Sequence, residues 1–275
     1  MVSKKKMAVM YILMAVITVI VVFPFAWMFL LSMKTNSEIM LTPLSMPASF
    51  NLMNFVNALQ ILNYGELYSN TFFICIVSIL IELTITFLSA FVLARMEFNS
   101  RIKTMLYSFL IMGLAISPFI LLFPVYKINL LLGLRGKAGL IMPYVATSIS
   151  FNTLLFVGYL KALPKEIDEA AIVDGTNLWQ LIGEIIIPMA KPVIATVVIF
   201  NVLYIWNEYP FASVMLRDVK DYTLSMGVFF FKGKYSVDYG GIIASSIMII
   251  IPELIFYGLF QKSIVDGMTA GAVKG

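Results

Sequence analysis

Apolar residues run through this chain in long blocks, with neither the strict alternation of a half-buried strand nor the one-sided stripe of a surface helix. The blocks cover about residues 7–32, 69–94, 105–126, 138–160, 185–206 and 240–261. Each is long enough to supply the roughly 20 apolar positions with which an α-helix crosses a bilayer. The pattern predicts an all-α polytopic membrane protein with six transmembrane helices in a single domain, 1–275. The second block is interrupted by Glu82 and the last by Glu253, while the fifth opens on Pro188, Lys191 and Pro192. The first block follows Lys4, Lys5 and Lys6. Its apolar run exceeds the roughly 7–15 residues of a secretory signal core and no small-residue cleavage site follows, so it is expected to be a retained span.

Between the blocks the pattern changes. Pro43 and Pro47 punctuate the first connection, where "NLMNFVNAL" suits a short amphipathic helix, either a lid or a plain connector. About thirty residues join the fifth and sixth blocks, long for a compact connection and therefore expected to contact something external.

Composition agrees with the pattern: 61% of residues are hydrophobic, 12% charged, and the mean hydropathy is +0.95. The N-terminal lysines predict that both termini are cytoplasmic. On that topology eleven of the nineteen Lys and Arg lie inside, so the net charge of +4 reports orientation and points to no nucleic-acid partner. The absence of histidine excludes HExxH metal sites and Ser-His-Asp triads. Cys75 is the single cysteine, which excludes an intrachain disulfide, and Gly136-Lys137 and Gly233-Lys234 lack the spacing of a phosphate-cradling loop. No cofactor and no metal are expected.

The connection at about 164–184 departs most from the greasy remainder. "LPKEIDEAAIVDG" carries Glu166, Asp168 and Glu169 where carboxylates complement a helix dipole, and it stops at Gly175, a residue suited to a left-handed cap. Asn177 with Gln180 three residues later forms a capping-box pattern for a second helix. A helix seeking lipid headgroups would be basic; this one is acidic, which favours a protein partner in the cytoplasm.

This stretch resembles the EAA signature of permease subunits of ATP-binding-cassette (ABC) importers. Glu169-Ala170-Ala171 is followed after three residues by Gly175, and after nine more by Ile185 and Pro188, with Ile187 where the pattern has leucine. "LARMEF" at 93–98, "WNEYPFA" at 206–212, "DYTLSMGV" at 221–228 and the terminal "VDGMTAGAVKG" are similar to the carbohydrate-uptake branch, in particular to subunits like the second permease of the maltose system. The resemblance implies a coupling helix between the fourth and fifth spans, with Glu169, Ala170, Ala171, Asp174 and Gly175 docking in a separate ATPase subunit. It implies too that the tail, 262–275, with Gly267, Thr269, Gly271 and Lys274, reaches the ATPase dimer. The partners implied are a second homologous permease, a dimer of ATPase subunits, an extracytoplasmic solute-binding protein, a carbohydrate substrate and the lipid bilayer of a bacterial or archaeal cell membrane. Hydrolysis of ATP would belong to the partner subunit, so the chain itself is expected not to be an enzyme.

Carboxylates in hydrocarbon are costly and need shelter. Glu82 and Glu253, with Asn152 and Asn201, are candidates for the translocation path, and packing between helices is the competing role. Trp206 suits an interfacial anchor or a platform for a sugar ring. Two other functions use the same acids: an intramembrane enzyme, for which no nucleophile constellation is present, and an ion-coupled secondary transporter, which needs neither elbow nor tail.

Overall fold

The computed structural model describes residues 4–233 and 237–272, and these are helical apart from connections and one isolated bridge between Lys232 and Val237. Four helices are long and apolar enough to cross a membrane: Lys6–Leu31, Tyr64–Arg95, Gly136–Ala162 and Tyr239–Lys262. Two further stretches satisfy the same test only as bent pairs, so the described residues give six spans if each pair is one span.

The bends fall within the spans expected at 105–126 and 185–206. Ser100–Met112 (α5) runs into a tight turn at Gly113–Ala115, and Pro118–Leu131 (α6) leaves it at 106°. Pro118 has no N–H to give and forces Ser117 into an extended conformation, φ −66° and ψ 130°, which stops the first helix. Gly113 lies against Ser150, whose hydroxyl donates to Leu110 O at 2.6 Å; a side chain at Gly113 would collide with it. The second pair, Leu178–Met189 and Lys191–Asn207, meets at 75°. Leu181–Ile186 is a π-helical segment just ahead of Pro188, the local rewinding by which a helix accommodates a proline, and Pro192 opens the next helix.

The chain divides into two compact units. The first comprises Met1–Tyr64 and Gly227–Pro252. In it, Lys4–Leu31 (α1) is exposed along its apolar length. Asn36–Leu41 (α2) starts at a capping box between Thr35 and Glu38, and Met53–Ile61 (α3) is the short helix expected in "NLMNFVNAL". Backbone N–H groups of Thr35 and Ala48 hold the Glu38 carboxyl below its usual range. Lys34, 1% exposed, is satisfied by Thr42 O at 2.9 Å, Pro43 O at 3.3 Å and the Ser45 hydroxyl at 3.2 Å, so the connection is folded over its own cation.

The second unit comprises Gly65–Met226 and Glu253–Gly275. Its hub is Gly136–Ala162 (α7), against which α5, α6, Lys191–Asn207 and Pro210–Met215 pack. Phe87, Phe91, Phe156, Leu160, Leu181 and Ile186 form one buried cluster, and Ile74, Leu140, Tyr144, Ile205 and Phe211 a second. Because lipid tails are as apolar as these side chains, close van der Waals packing rather than escape from water holds such clusters together in a bilayer. Ala90, Ala190 and Ala212, each 0% exposed, are small residues that permit the close approach. The long connection after Asn207 is no free loop. Asn70 Nδ2 donates to Lys220 O and Tyr222 O at 2.8 and 2.9 Å, and Leu224 N to the Thr71 hydroxyl at 2.9 Å, which straps it to the start of Tyr64–Arg95 (α4).

Candidate functional site

The acidic elbow sits at the C-terminal end of α7, and one arginine fixes it. Arg95, the last residue of α4, is 3% exposed in its side chain. Its guanidinium donates to Leu163 O at 2.7 Å, Leu160 O at 3.3 Å and Pro164 O at 2.8 Å, carbonyls at and just beyond the end of α7, of which Leu160 O also accepts from Leu163 N at 3.3 Å. The same group pairs with Asp168: Nη2 donates to Oδ1 at 2.8 Å, and Nε lies 2.8 Å from Oδ2 in an ion pair without hydrogen-bond geometry. Only a planar guanidinium supplies donors in that arrangement. The sequence marked Arg95 as a sign of the membrane face and Asp168 as one helix-dipole charge among several. Their partnership across 73 residues left no local signal.

Glu166–Val173 (α8) closes by a Schellman motif: Thr176 N donates to Ala171 O and Gly175 N to Ile172 O, both at 3.0 Å, with Gly175 at φ 78°. A Cβ at Gly175 would meet nothing within 4 Å, so the demand for glycine is purely conformational. Replacing Gly175 with alanine is therefore expected to cost about 1–2 kcal/mol of elbow stability. Gly183, equally open around its Cβ but without positive φ, is the control, and Gly183→Ala should be neutral. Thermal unfolding of the two variants separates them; equal losses would refute the account.

The expected capping box of Asn177 and Gln180 starts the next helix, with Gln180 N to Asn177 Oδ1 and Asn177 N to Gln180 Oε1 both at 3.0 Å. Between Gly175 and this cap the chain turns, giving the elbow two faces. Ala171, 4% exposed, points inward to the cluster of Phe156, Leu160 and Ile186 instead of supplying outward surface. Outward stand Glu169, Ala170 and Asp174, with Ile172, Val173 at 86% exposure and Trp179 at 71%. Glu166, Glu169 and Asp174 have no ion-pair partner among the described residues. A bare apolar patch rimmed by unpaired carboxylates is the chemistry of a surface for a partner bearing a groove and basic residues. Ile172 and Trp179 were not singled out from the sequence, where they read as ordinary apolar positions.

The backbone of Gly267, Thr269 and Gly271 belongs to the helix Tyr239–Ala272; their side chains, and Lys274 entirely, lie outside the described residues, as do Lys234 and Tyr235 of the outer connection.

Within the spans, Asn152 and Asn201 come together, Asn201 Nδ2 donating to Asn152 Oδ1 and to Val197 O at 2.9 Å. Both are buried, as is Glu82 at 0% exposure, whose carboxylate has no hydrogen-bond partner among the described residues. Glu253 differs: it is half-buried and accepts from Asn207 Nδ2 at 2.7 Å. No group of three or more His, Cys, Asp or Glu able to hold a metal ion occurs among the described residues.

A third acid, Glu208 of "WNEYPFA", stands where the long connection begins. It is 7% exposed and accepts from Tyr144 OH at 2.7 Å, Phe211 N at 2.6 Å and Ala212 N at 3.1 Å, while its carbonyl accepts from the Ser225 hydroxyl at 2.7 Å. One carboxylate thus joins α7, the end of Lys191–Asn207 and the helix Pro210–Met215.

Residues 83–265 match the family model described as the binding-protein-dependent transport system inner membrane component. A putative ABC transporter permease protein from a Caldicellulosiruptor species is 33% identical over 96% of this chain and 96% of its own length. The trehalose/maltose transport system permease protein of Thermococcus litoralis is 31% identical over 96% of this chain and 94% of its own. A diacetylchitobiose uptake system permease of Streptomyces coelicolor is 28% identical over 97% and 89%. Among solved structures, a chain of a bacterial ABC transporter involved in import of the acidic polysaccharide alginate superposes with a TM-score of 0.78 at 20% identity, covering 95% of this chain and 98% of that one, which is a likeness of fold.

Proposed function

The chain belongs to the family of binding-protein-dependent transport inner membrane components, and from that premise we propose that it forms half of the passage of an ATP-driven carbohydrate importer. It is a multi-pass permease subunit, and the sugar systems named for its relatives support a neutral mono- or oligosaccharide as substrate. A second permease completes the passage, a binding protein delivers the sugar from outside, and separate ATPase subunits dock on the elbow, with both termini on their side of the membrane.

The observation that carries the coupling role is the outward face of α8. Glu169 and Asp174 stand unpaired beside Ile172, Val173 and Trp179, on a helix whose inward side is bolted to α4 and α7 through Arg95, Asp168 and Ala171. A surface held this firmly transmits a push from a docked partner to the spans instead of yielding to it. Glu169→Lys is expected to leave membrane insertion intact, and to reduce ATPase association at least tenfold, because a like charge then faces the partner's basic group. Co-purification of the ATPase with the variant at the parent's level would count decisively against the assignment.

In the spans, Asn152 and Asn201 are assigned to polar packing inside the chain in this conformation, Glu82 to the buried interior, and Glu253 with Asn207 to the passage. Reconstituted with its partners, the transporter should take up sugar with ATP, lose uptake with vanadate and be indifferent to a protonophore. Uptake driven by an ion gradient without ATP would overturn the importer reading in favour of a secondary transporter.

A further inference from the structure

At the end of α7 opposite the elbow, 27 helical residues and about 40 Å away, the second unit contains a cavity of about 690 Å³. That is within the range of about 300–1,000 Å³ typical of small-molecule sites. Its walls come from the connection between α6 and α7 and from the residues following Pro210–Met215. Gly133 and Gly136, at φ 70° and 56°, bend the connection around it. A Cβ at Gly136 would lie 2.8 Å from Asp221 Oδ2, so the wall closes only with glycine there.

The lining is polar and of both signs. Lys137 pairs with Asp221 at 3.8 Å, and Arg217 lies over the Tyr126 ring at 5.5 Å while donating to its hydroxyl. Asn129 is 1% exposed. Its Nδ2 donates to Gly139 O at 2.6 Å and to Met215 Sδ at 3.4 Å, but its Oδ1 has no hydrogen-bond partner among the described residues. That oxygen exposes less than 1 Å² to solvent, so it is not reached from the cavity. Arg135 and Asp218 line the same cavity, and their side chains make no hydrogen bond or ion pair among the described residues.

We propose that this cavity is a carbohydrate subsite at the outer mouth of the passage, taking a neutral sugar ring. This rests on the carbohydrate reading above. The open positions are one acceptor, the Asp218 carboxylate, and one donor, the Arg135 guanidinium, both exposed at the cavity. A fully ionised carboxylate or phosphate ligand would satisfy Arg135 but could give no proton to Asp218, and it would face that carboxylate directly. A sugar hydroxyl both donates and accepts, so adjacent hydroxyls on one ring fill both positions. The site lies far from mid-membrane, where it would receive sugar before the spans engage it.

The test uses the assembled transporter in lipid nanodiscs, with saturation-transfer difference NMR of maltose, cellobiose and diacetylchitobiose. At least one disaccharide is expected to show transfer, and Arg135→Gln and Asp218→Asn should each weaken its apparent affinity about tenfold, the effect of losing a hydrogen bond to a charged group. Circular dichroism and thermal unfolding confirm that both variants are folded. No transfer to any of the three sugars, or undiminished transfer in both variants, would overturn the proposal. So would variants that lose docking of the binding protein while keeping the sugar signal, which would assign the cavity to a protein partner. ATP-dependent uptake is measured in parallel. A transporter without it that still shows the cavity-dependent signal would sink the importer reading and leave the subsite standing.

Discussion

Replacing Arg95 with methionine is expected to lower uptake at least tenfold and to destabilise the chain by about 3–5 kcal/mol, the usual cost of removing one partner from a buried ion pair. The arginine does more than pair with Asp168. It satisfies the carbonyls of Leu160, Leu163 and Pro164 at the end of α7, so its loss leaves both an uncompensated carboxylate and unmatched acceptors. Arg95→Lys should recover only part of the stability, because one ammonium cannot reach Asp168 and three carbonyls in a plane. Asp168→Asn, which keeps an acceptor, should be milder than either, and the double variant should cost clearly less than the sum of its parts. Membrane insertion should persist in all of them while ATP hydrolysis becomes uncoupled from transport. Additive losses in the cycle, or an Arg95→Met transporter with normal coupling, would show that the clasp does not transmit.

Glu208→Ala should rival it, with a loss of about 3 kcal/mol or more, read as a fall in the unfolding temperature of the purified chain. Three donors converge on that carboxylate, from Tyr144 OH and the N–H groups of Phe211 and Ala212. Truncation leaves all three buried without an acceptor, each at a cost of about 1–3 kcal/mol. Glu208→Gln retains the shape and one good acceptor oxygen but turns an amino group towards one of the donors, so about half the loss is expected. Tyr144→Phe removes a single donor and should cost about 1 kcal/mol. If Glu208→Ala unfolds at the parent's temperature, the junction is held by apolar packing alone. Uptake should fall in parallel, since the displaced segment includes residues strapped to Asn70 and Thr71 on α4.

Block lengths, the positions of charge and the EAA spacing were enough to predict a helical membrane permease, the site of its elbow, the capping box at Asn177 and a glycine at Gly175 whose φ had to be positive. These are properties of short windows: a helix must satisfy its own backbone in lipid, and a cap is decided within a few residues. The bend at Pro118 was not read from the sequence, because a hydropathy block averages over a proline that stops a helix without making the stretch polar. What the windows could not contain was partnership at a distance. Arg95 finds Asp168 and Glu208 finds Tyr144 because segments 73 and 64 residues apart in sequence lie side by side. Asn129, Arg135 and Asp218 border one cavity for the same reason. Nor could they tell a buried acid from one at a surface: Glu82 and Glu253 read alike in the sequence, and only packing puts one at 0% exposure and leaves the other half-buried against Asn207. Hydrophobicity along the chain fixes which segments enter the membrane, whereas the direction each polar side chain faces is set by the neighbouring helix, and that is decided only when the helices pack.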